Sequence, residues 1–372
     1  MSDPIIDEPE KIALLNLLAI DGIGTATVLR LVERFKSAQA VFHATDAELA
    51  TVPKISSTTI ARIHSARVND EYGKKQLEAS AKENIEVRTY WDEDYPPLLK
   101  QLEQEAPVVL FIRGVLAADA RRLAVVGTRS ATAYGKRMTH DLIVGLRGSG
   151  LHIVSGLASG IDGYAHEAAL EAGLVTEAVF GCGVDRIYPP MNTMLANRIL
   201  AAGGALISEY PIGTEPDRYH FPQRNRIIAG LSEATMVTEA GDKSGALITA
   251  MLALDNNRDV MAVPGAVNNP KSRGCHSLIR NGAALIEQSE DILQEMEFRF
   301  KGKQSPSVEQ LAISLTEPEA TIVNSLDSTE AQHIDDLAMR IGVPVGETLG
   351  QLLLLELKGI VKQLPGKYFV RA

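Results

Sequence analysis

Short apolar runs at residues 123–126, 151–154, 175–180, 205–208, 235–238, 260–263 and 284–286 divide the middle of the chain at regular intervals. Each run is continuous rather than alternating, which predicts strands buried on both faces. Between most of them apolar positions recur at helical spacing, as in 135–146, 161–172 and 245–256. Strands alternating with helices predict an α/β domain, an extended Rossmann-like, doubly wound parallel sheet. A ligand of such a sheet binds beyond the carboxyl ends of its strands.

The flanks carry different patterns. In residues 11–67, Leu14, Leu15 and Leu18, then Val28, Leu31 and Val32, recur at helical spacing around the turn Asp21-Gly22-Ile23-Gly24. That turn fits either a phosphate-binding helix-hairpin-helix or a purely structural or docking unit. A linking stretch follows, with an extended piece at 85–91, the turn Tyr95-Pro96-Pro97 and an apolar segment at 108–112. After about Met296, the stretch 301–307 is polar, as linkers are. Helices at 317–326, 334–341 and 345–358, then short strands at 360–361 and 368–369 around Pro365-Gly366, predict a winged helix-turn-helix. Its third helix is rich in leucine and poor in base-reading groups, which favours a protein contact over a major-groove reader. The expected domains are 1–80 (helical), 81–298 (α/β), a linker at 299–312 and 313–372 (winged helix).

Composition narrows the partners. With 372 residues and 45% hydrophobic content the chain can bury several cores. No apolar run approaches the roughly 20 residues of a membrane helix, and the acidic first ten residues do not resemble a signal peptide, so a cytoplasmic protein without membrane partners is expected. Cys182 and Cys275 have neither C-x-x-C nor zinc spacing, which argues against a disulfide framework or structural metal. The net charge of -10 argues against broad, indiscriminate coating of duplex DNA. A nucleic-acid site must therefore be local. Basic residues cluster at Arg121, Arg122, Arg129, Lys136, Arg137 and Arg147, at Arg218, Arg224 and Arg226, and at Lys271, Arg273 and Arg280.

Candidate chemistry falls at the strand-to-helix loops. Gly127-Thr128-Arg129-Ser130, the run 155–162 with Ser155, Gly156, Ala158 and Gly160, the run 181–185, and 239–245 with Ser244 and Gly245 each follow a strand and open a helix. Small residues there let backbone N–H groups approach an anion, and helix N-termini add partial positive charge. The run 221–231 joins Phe221, Arg224, Asn225 and Arg226 in one loop before an apolar helical pattern. Arginine forks suit phosphate, asparagine suits a base or sugar edge, and Phe offers a stacking face. The alternative is a helix N-terminus with solvated arginines. No G-x-x-x-x-G-K-[ST] and no G-x-G-x-x-G after the first strand occurs, so neither a Walker-type ATPase nor an ordinary dinucleotide dehydrogenase fits, and no cofactor is expected. Asp162 and His166 share a helical face, with Asp162 placed either to bond its turn or to orient a base. A binding pocket is expected before an enzyme.

These residues resemble the DNA-processing protein A (DprA/Smf) family. The resemblance runs through Asp94-Tyr95-Pro96, residues 107–114, Val126 to Arg129, 155–162, 185–189, 208–211, 221–231, Glu239 with 244–250, and 262–265. It implies a single-stranded DNA-binding homodimer that loads the RecA recombinase on incoming strands during natural transformation, flanked by a sterile-alpha-motif-like helical domain and a winged helix. It places Arg129 as a DNA-binding arginine and 221–226 in the most recognisable block, with Arg218 nearby. Some members carry a lysine just after the Tyr-Pro of the third loop, where this chain has Pro190 and Met191. Two other functions are open to such a chain. A nucleoside-monophosphate phosphoribohydrolase resembles Pro-Gly-Gly-x-Gly-Thr-x-x-Glu, yet no glutamate follows Ser244-Gly245. A ligand-responsive regulator would use the winged helix on duplex DNA.

Overall fold

The computed structural model describes residues 6–66, 71–303, 317–326, 332–357, 361–364 and 366–371. Contacts gather into two compact units, Met1–Gly302 and Lys303–Ala372.

The first unit is built on nine strands: β1 (Ile85–Thr89), β2 (Val109–Gly114), β3 (Arg122–Val126), β4 (His152–Ser155), β5 (Thr176–Val179), β6 (Ala205–Ser208), β7 (Ala234–Val237), β8 (Asp259–Ala262) and β9 (Ala284–Leu285). Their order is β1-β2-β6-β5-β4-β3-β7-β8-β9. From β6 to β9 every pairing is parallel, with Ala124 opposite Val154 and Val126 opposite Val237. β3, β5, β6 and β7 are buried at every position, which is why their sequences do not alternate between apolar and polar; the two charges they carry, Arg122 and Glu177, pair with each other at 2.6 Å. The two segments expected to be linking stretches are strands. β2 pairs antiparallel with β6, and β1 pairs antiparallel with β2, extending the sheet.

Helices cover both faces. On one, helices Ala133–Val144 and Ile161–Ala172 bury Leu142, Ile143, Ile161, Ala165 and Ala168 against the strands. On the other, His220–Leu231 and Gly245–Asp255 contribute Ile227, Ile228, Leu231, Ala246, Ala250 and Ala253. N-terminal helices Glu8–Leu18 and Thr25–Phe35 form a hairpin around Gly22, whose φ of 82° suits a residue without Cβ. Lys11 Nζ donates to the Val87 carbonyl at 2.8 Å, tying this hairpin to β1.

The second unit has helices Glu317–Ser325, Ile334–Ile341 and Val345–Leu357 and three antiparallel strands, Gln332–His333, Tyr368–Arg371 and Val361–Leu364 in that order. Ile322, Leu337, Leu352, Leu355 and Phe369 form its core. This is a winged helix. Of the expected linker, 299–303 instead continue helix Ser289–Lys303, and the rest lies outside the described residues, as does residue 360.

Candidate nucleic-acid interface

The order in which successive parallel strands are added reverses at β3, because β4, β5 and β6 lie on one side of it and β7, β8 and β9 on the other. Connections therefore diverge at the carboxyl end of β3 and leave a crevice there. A cavity of about 980 Å³ fills it. Its wall takes Gly127, Thr128 and Arg129 from the loop after β3 and Ala158 and Asp162 from that after β4. Tyr188 follows β5, and Arg218, Phe221, Arg224 and Asn225 follow β6. Lys243, Ser244, Gly245 and Ile248 follow β7, and Lys271 follows β8.

The loops are locked to one another before any ligand arrives. Thr128 N–H donates to the Glu239 carbonyl at 2.7 Å, and the buried Glu239 carboxylate accepts from Thr132 N–H at 2.8 Å and Thr132 Oγ1 at 2.7 Å. Ile161 N–H donates to the Thr128 carbonyl at 3.2 Å. At Gly160 the backbone runs at φ 84°, and a Cβ there would lie 2.3 Å from the Thr128 oxygen. No side chain fits that approach.

Charge in the cavity opposes the charge of the chain. Arg129 is exposed and, among the described residues, makes no hydrogen bond or ion pair; its guanidinium lies 5.6 Å from the Phe221 ring centroid. Lys243 is exposed and equally unpaired among them. Arg218 is exposed and bonds Tyr219 Oη at 2.6 Å. Lys271 Nζ donates to the Ser130 carbonyl, bracing two loops while keeping its charge at the rim. Asp162 is the single carboxylate of the lining, and it accepts from Gly156 N–H at 3.1 Å. Burial raises its pKa, with the Arg224 charge opposing. Five cations, these four and the buried Arg224, thus share the wall with one carboxylate, and low-dielectric walls concentrate such a field.

Several expected site residues have other positions. Residues 221–226 lie in helix His220–Leu231, not in a loop, and Arg224 falls on its buried stripe with Ile227, Ile228 and Leu231. Arg224 is 4% exposed; its Nη1 donates to the Gly156 carbonyl at 2.8 Å and to the Val179 carbonyl, and Nε donates to Asn225 Oδ1 at 3.2 Å. Burial first, then the nearby Arg129 charge, pull its pKa down to about 10 against the pull of Asp162, so it remains a cation at neutral pH. Arg226 pairs with Glu209 at 2.6 Å, away from the cavity wall. Ser155 Oγ donates to the Val125 carbonyl at 2.6 Å, and Gly156 packs against the Arg224 guanidinium. With Gly160, these residues build the wall from behind, while Ser130 stands exposed beside it. Within the 155–162 run, Gly156 N–H is taken by Asp162 at 3.1 Å and Ile161 N–H by the Thr128 carbonyl at 3.2 Å, so neither is presented to an anion.

His166 is buried, its Nδ1 2.7 Å from Thr176 Oγ1, and burial, aided by the Arg224 charge, takes its pKa down to about 3. It is a neutral core histidine. Cys182 and Cys275 are free, buried thiols. Sequence reading did not single out Lys243 or Tyr188 as site residues and left Lys271 in a generic basic cluster. Loop position after β7 and β8 was the signal for the two lysines.

Residues 86–297 match the family described as DNA recombination-mediator protein A, 306–367 the DprA winged helix domain, and 14–67 a SAM-like helix-hairpin-helix tandem. Protein Smf of Escherichia coli K12 is 41% identical over 285 residues, covering 74% of this chain and 75% of that protein. Protein Smf of a Synechocystis strain is 34% identical over 385 residues, covering 95% and 96%. The crystal structure of DNA processing protein A from Streptococcus pneumoniae superposes with a TM-score of 0.65 at 32% identity, covering 78% of this chain and 98% of that one. A structure of DNA processing protein A from Helicobacter pylori, reported for its single-stranded DNA binding mode, gives a TM-score of 0.51 at 29% identity, covering 59% and 98%.

Proposed function

The chain belongs to the DNA recombination-mediator protein A family, and on that premise we propose that it binds single-stranded DNA in the β3 cavity without catalytic turnover. One observation carries the reading: a cavity of about 980 Å³ with Arg129, Lys243, Arg218 and Lys271 on its wall, in a chain of net charge -10. Charge confined to one cleft attracts a threaded strand without coating a duplex. Asn225 adds specificity for nucleic acid, because its Oδ1 is occupied by Arg224 and its amide N–H groups are left to donate to a base or sugar. A hydrolase would need a carboxylate or other base poised at the bound ligand, and the lining carboxylate, Asp162, is buried and committed to its own turn.

Beyond strand binding, the role proposed is that of a cytoplasmic homodimer that hands incoming single strands to the RecA recombinase during natural transformation. Among the described residues no helix is long and apolar enough to cross a membrane. The winged helix is assigned an accessory role, since its third helix Val345–Leu357 offers mainly leucines.

Polarisation titrations with a labelled oligonucleotide, its duplex and a nucleoside monophosphate test the reading. The single strand is expected to bind at least on the order of tenfold more tightly than either competitor, with strong salt dependence. A monophosphate that binds as tightly as the strand, or is cleaved, would favour a nucleotide-processing pocket and sink the proposal.

A further inference from the structure

Two aromatic rings line the cavity, Phe221, which the sequence singled out, and Tyr188. Phe221 is already engaged: Tyr188 stacks on its ring with centroids 5.5 Å apart and planes at 28°, the Arg129 guanidinium lies 5.6 Å from its centroid, and Gly181 approaches so closely that a Cβ would sit 3.0 Å from Cδ1. Tyr188, by contrast, is 43% exposed, lines the cavity, and has Phe221 as its ring contact. We propose that Tyr188 is the platform on which a nucleobase stacks, with Phe221 as its backing, so that base, Tyr188 and Phe221 form one column.

The charges around Tyr188 say which part of the strand meets it. The neighbouring cation Arg186 is bound to Glu215 at 2.8 Å and lies 3.6 Å from Asp185, leaving no free positive charge on that segment. The residues after Tyr188 are Pro189, Pro190 and Met191, with Met191 76% exposed. A phosphate has no partner there, whereas a base has an apolar, aromatic surface. Phosphates belong with the cations of the wall, Arg129 beside Phe221 and the lysines Lys243 and Lys271. A strand lying with its backbone toward those lysines and its base toward Tyr188 satisfies both surfaces, and stacking on a ring tolerates any base. The inference rests on the strand-binding reading and adds the residue and the part of the nucleotide it holds.

The test compares Tyr188→Leu, which keeps bulk and removes the ring, with Tyr188→Phe. Tyr188→Leu is expected to weaken single-strand affinity roughly 5- to 150-fold, the range measured for losing one base stack, while Tyr188→Phe stays near wild type. On an oligonucleotide of abasic sugars, Tyr188→Leu and wild type should bind alike. In a Trp91→Phe background, which removes the single native tryptophan, Tyr188→Trp should report the stack directly as quenched fluorescence on strand binding. If Tyr188→Leu matches wild type on intact strands while Arg129→Ala is weakened, the Tyr188 assignment falls and the functional reading stands. Wild-type chain that holds no single strand overturns both.

Discussion

Arg224→Ala is expected to lower the free energy of unfolding by about 3–5 kcal/mol, the cost of removing one partner from a buried, hydrogen-bonded charge arrangement. The guanidinium holds the carbonyls of Gly156 and Val179 and is the main positive charge opposing the desolvation of Asp162. Alanine leaves two buried acceptors without that donor and Asp162 without its compensating charge. Lysine should recover only part of this, because one ammonium in place of Nη1 cannot also supply the Nε–H that bonds Asn225 Oδ1 in the fixed geometry of the guanidinium. Chemical denaturation of the full chain reads the effect in its first transition. An unchanged midpoint with weakened strand binding would return Arg224 to direct phosphate contact.

The second large effect separates binding from stability. Changing Arg129, Lys243 and Arg218 together to alanine removes three exposed cations of the cavity wall that pair with no carboxylate among the described residues. If each meets one phosphate, the slope of log affinity against log salt should flatten by about 2 units, at roughly 0.7 per contact for single strands. Affinity should fall similarly for every sequence tested, since phosphate contacts carry no base information. The denaturation midpoint should stay within about 0.5 kcal/mol of wild type, because surface substitutions away from buried networks cost little. A triple variant with wild-type slope would remove these residues from the strand path.

The comparison of Arg224 with Arg129 shows what the sequence could and could not disclose. The sheet was legible because β3, β5, β6 and β7 are buried on both faces and so read as mainly apolar runs without alternation. Helix Ile161–Ala172 was legible to the residue from its spacing. β1 and β2 were legible only as an extended piece and an apolar segment, not as members of the sheet, because β2 pairs antiparallel with β6 across a long stretch of intervening chain. Within the site, residue type said nothing about burial. Arg129 and Arg224 read alike as phosphate forks, yet Arg129 is exposed and Arg224 is buried against the carboxyl ends of β4 and β5. A signal for the difference existed, since Arg224, Ile227, Ile228 and Leu231 share an i, i+3, i+4, i+7 stripe. Reading 221–226 as a loop concealed it. Tyr188 was hidden for another reason: its importance lies in a ring contact with a residue 33 positions away, which no local pattern encodes.

Hydrogen exchange of the full chain, with and without a saturating single-stranded oligonucleotide, tests the central claim most directly because it locates the strand without altering a residue. Slowed exchange is predicted in the cavity loops and the first helical turns that follow them, at 127–129, 216–225 and 241–249. Protection confined to the helical hairpin at 20–25 or to the winged helix at 332–371, with the cavity loops exchanging as in the free chain, would contradict it.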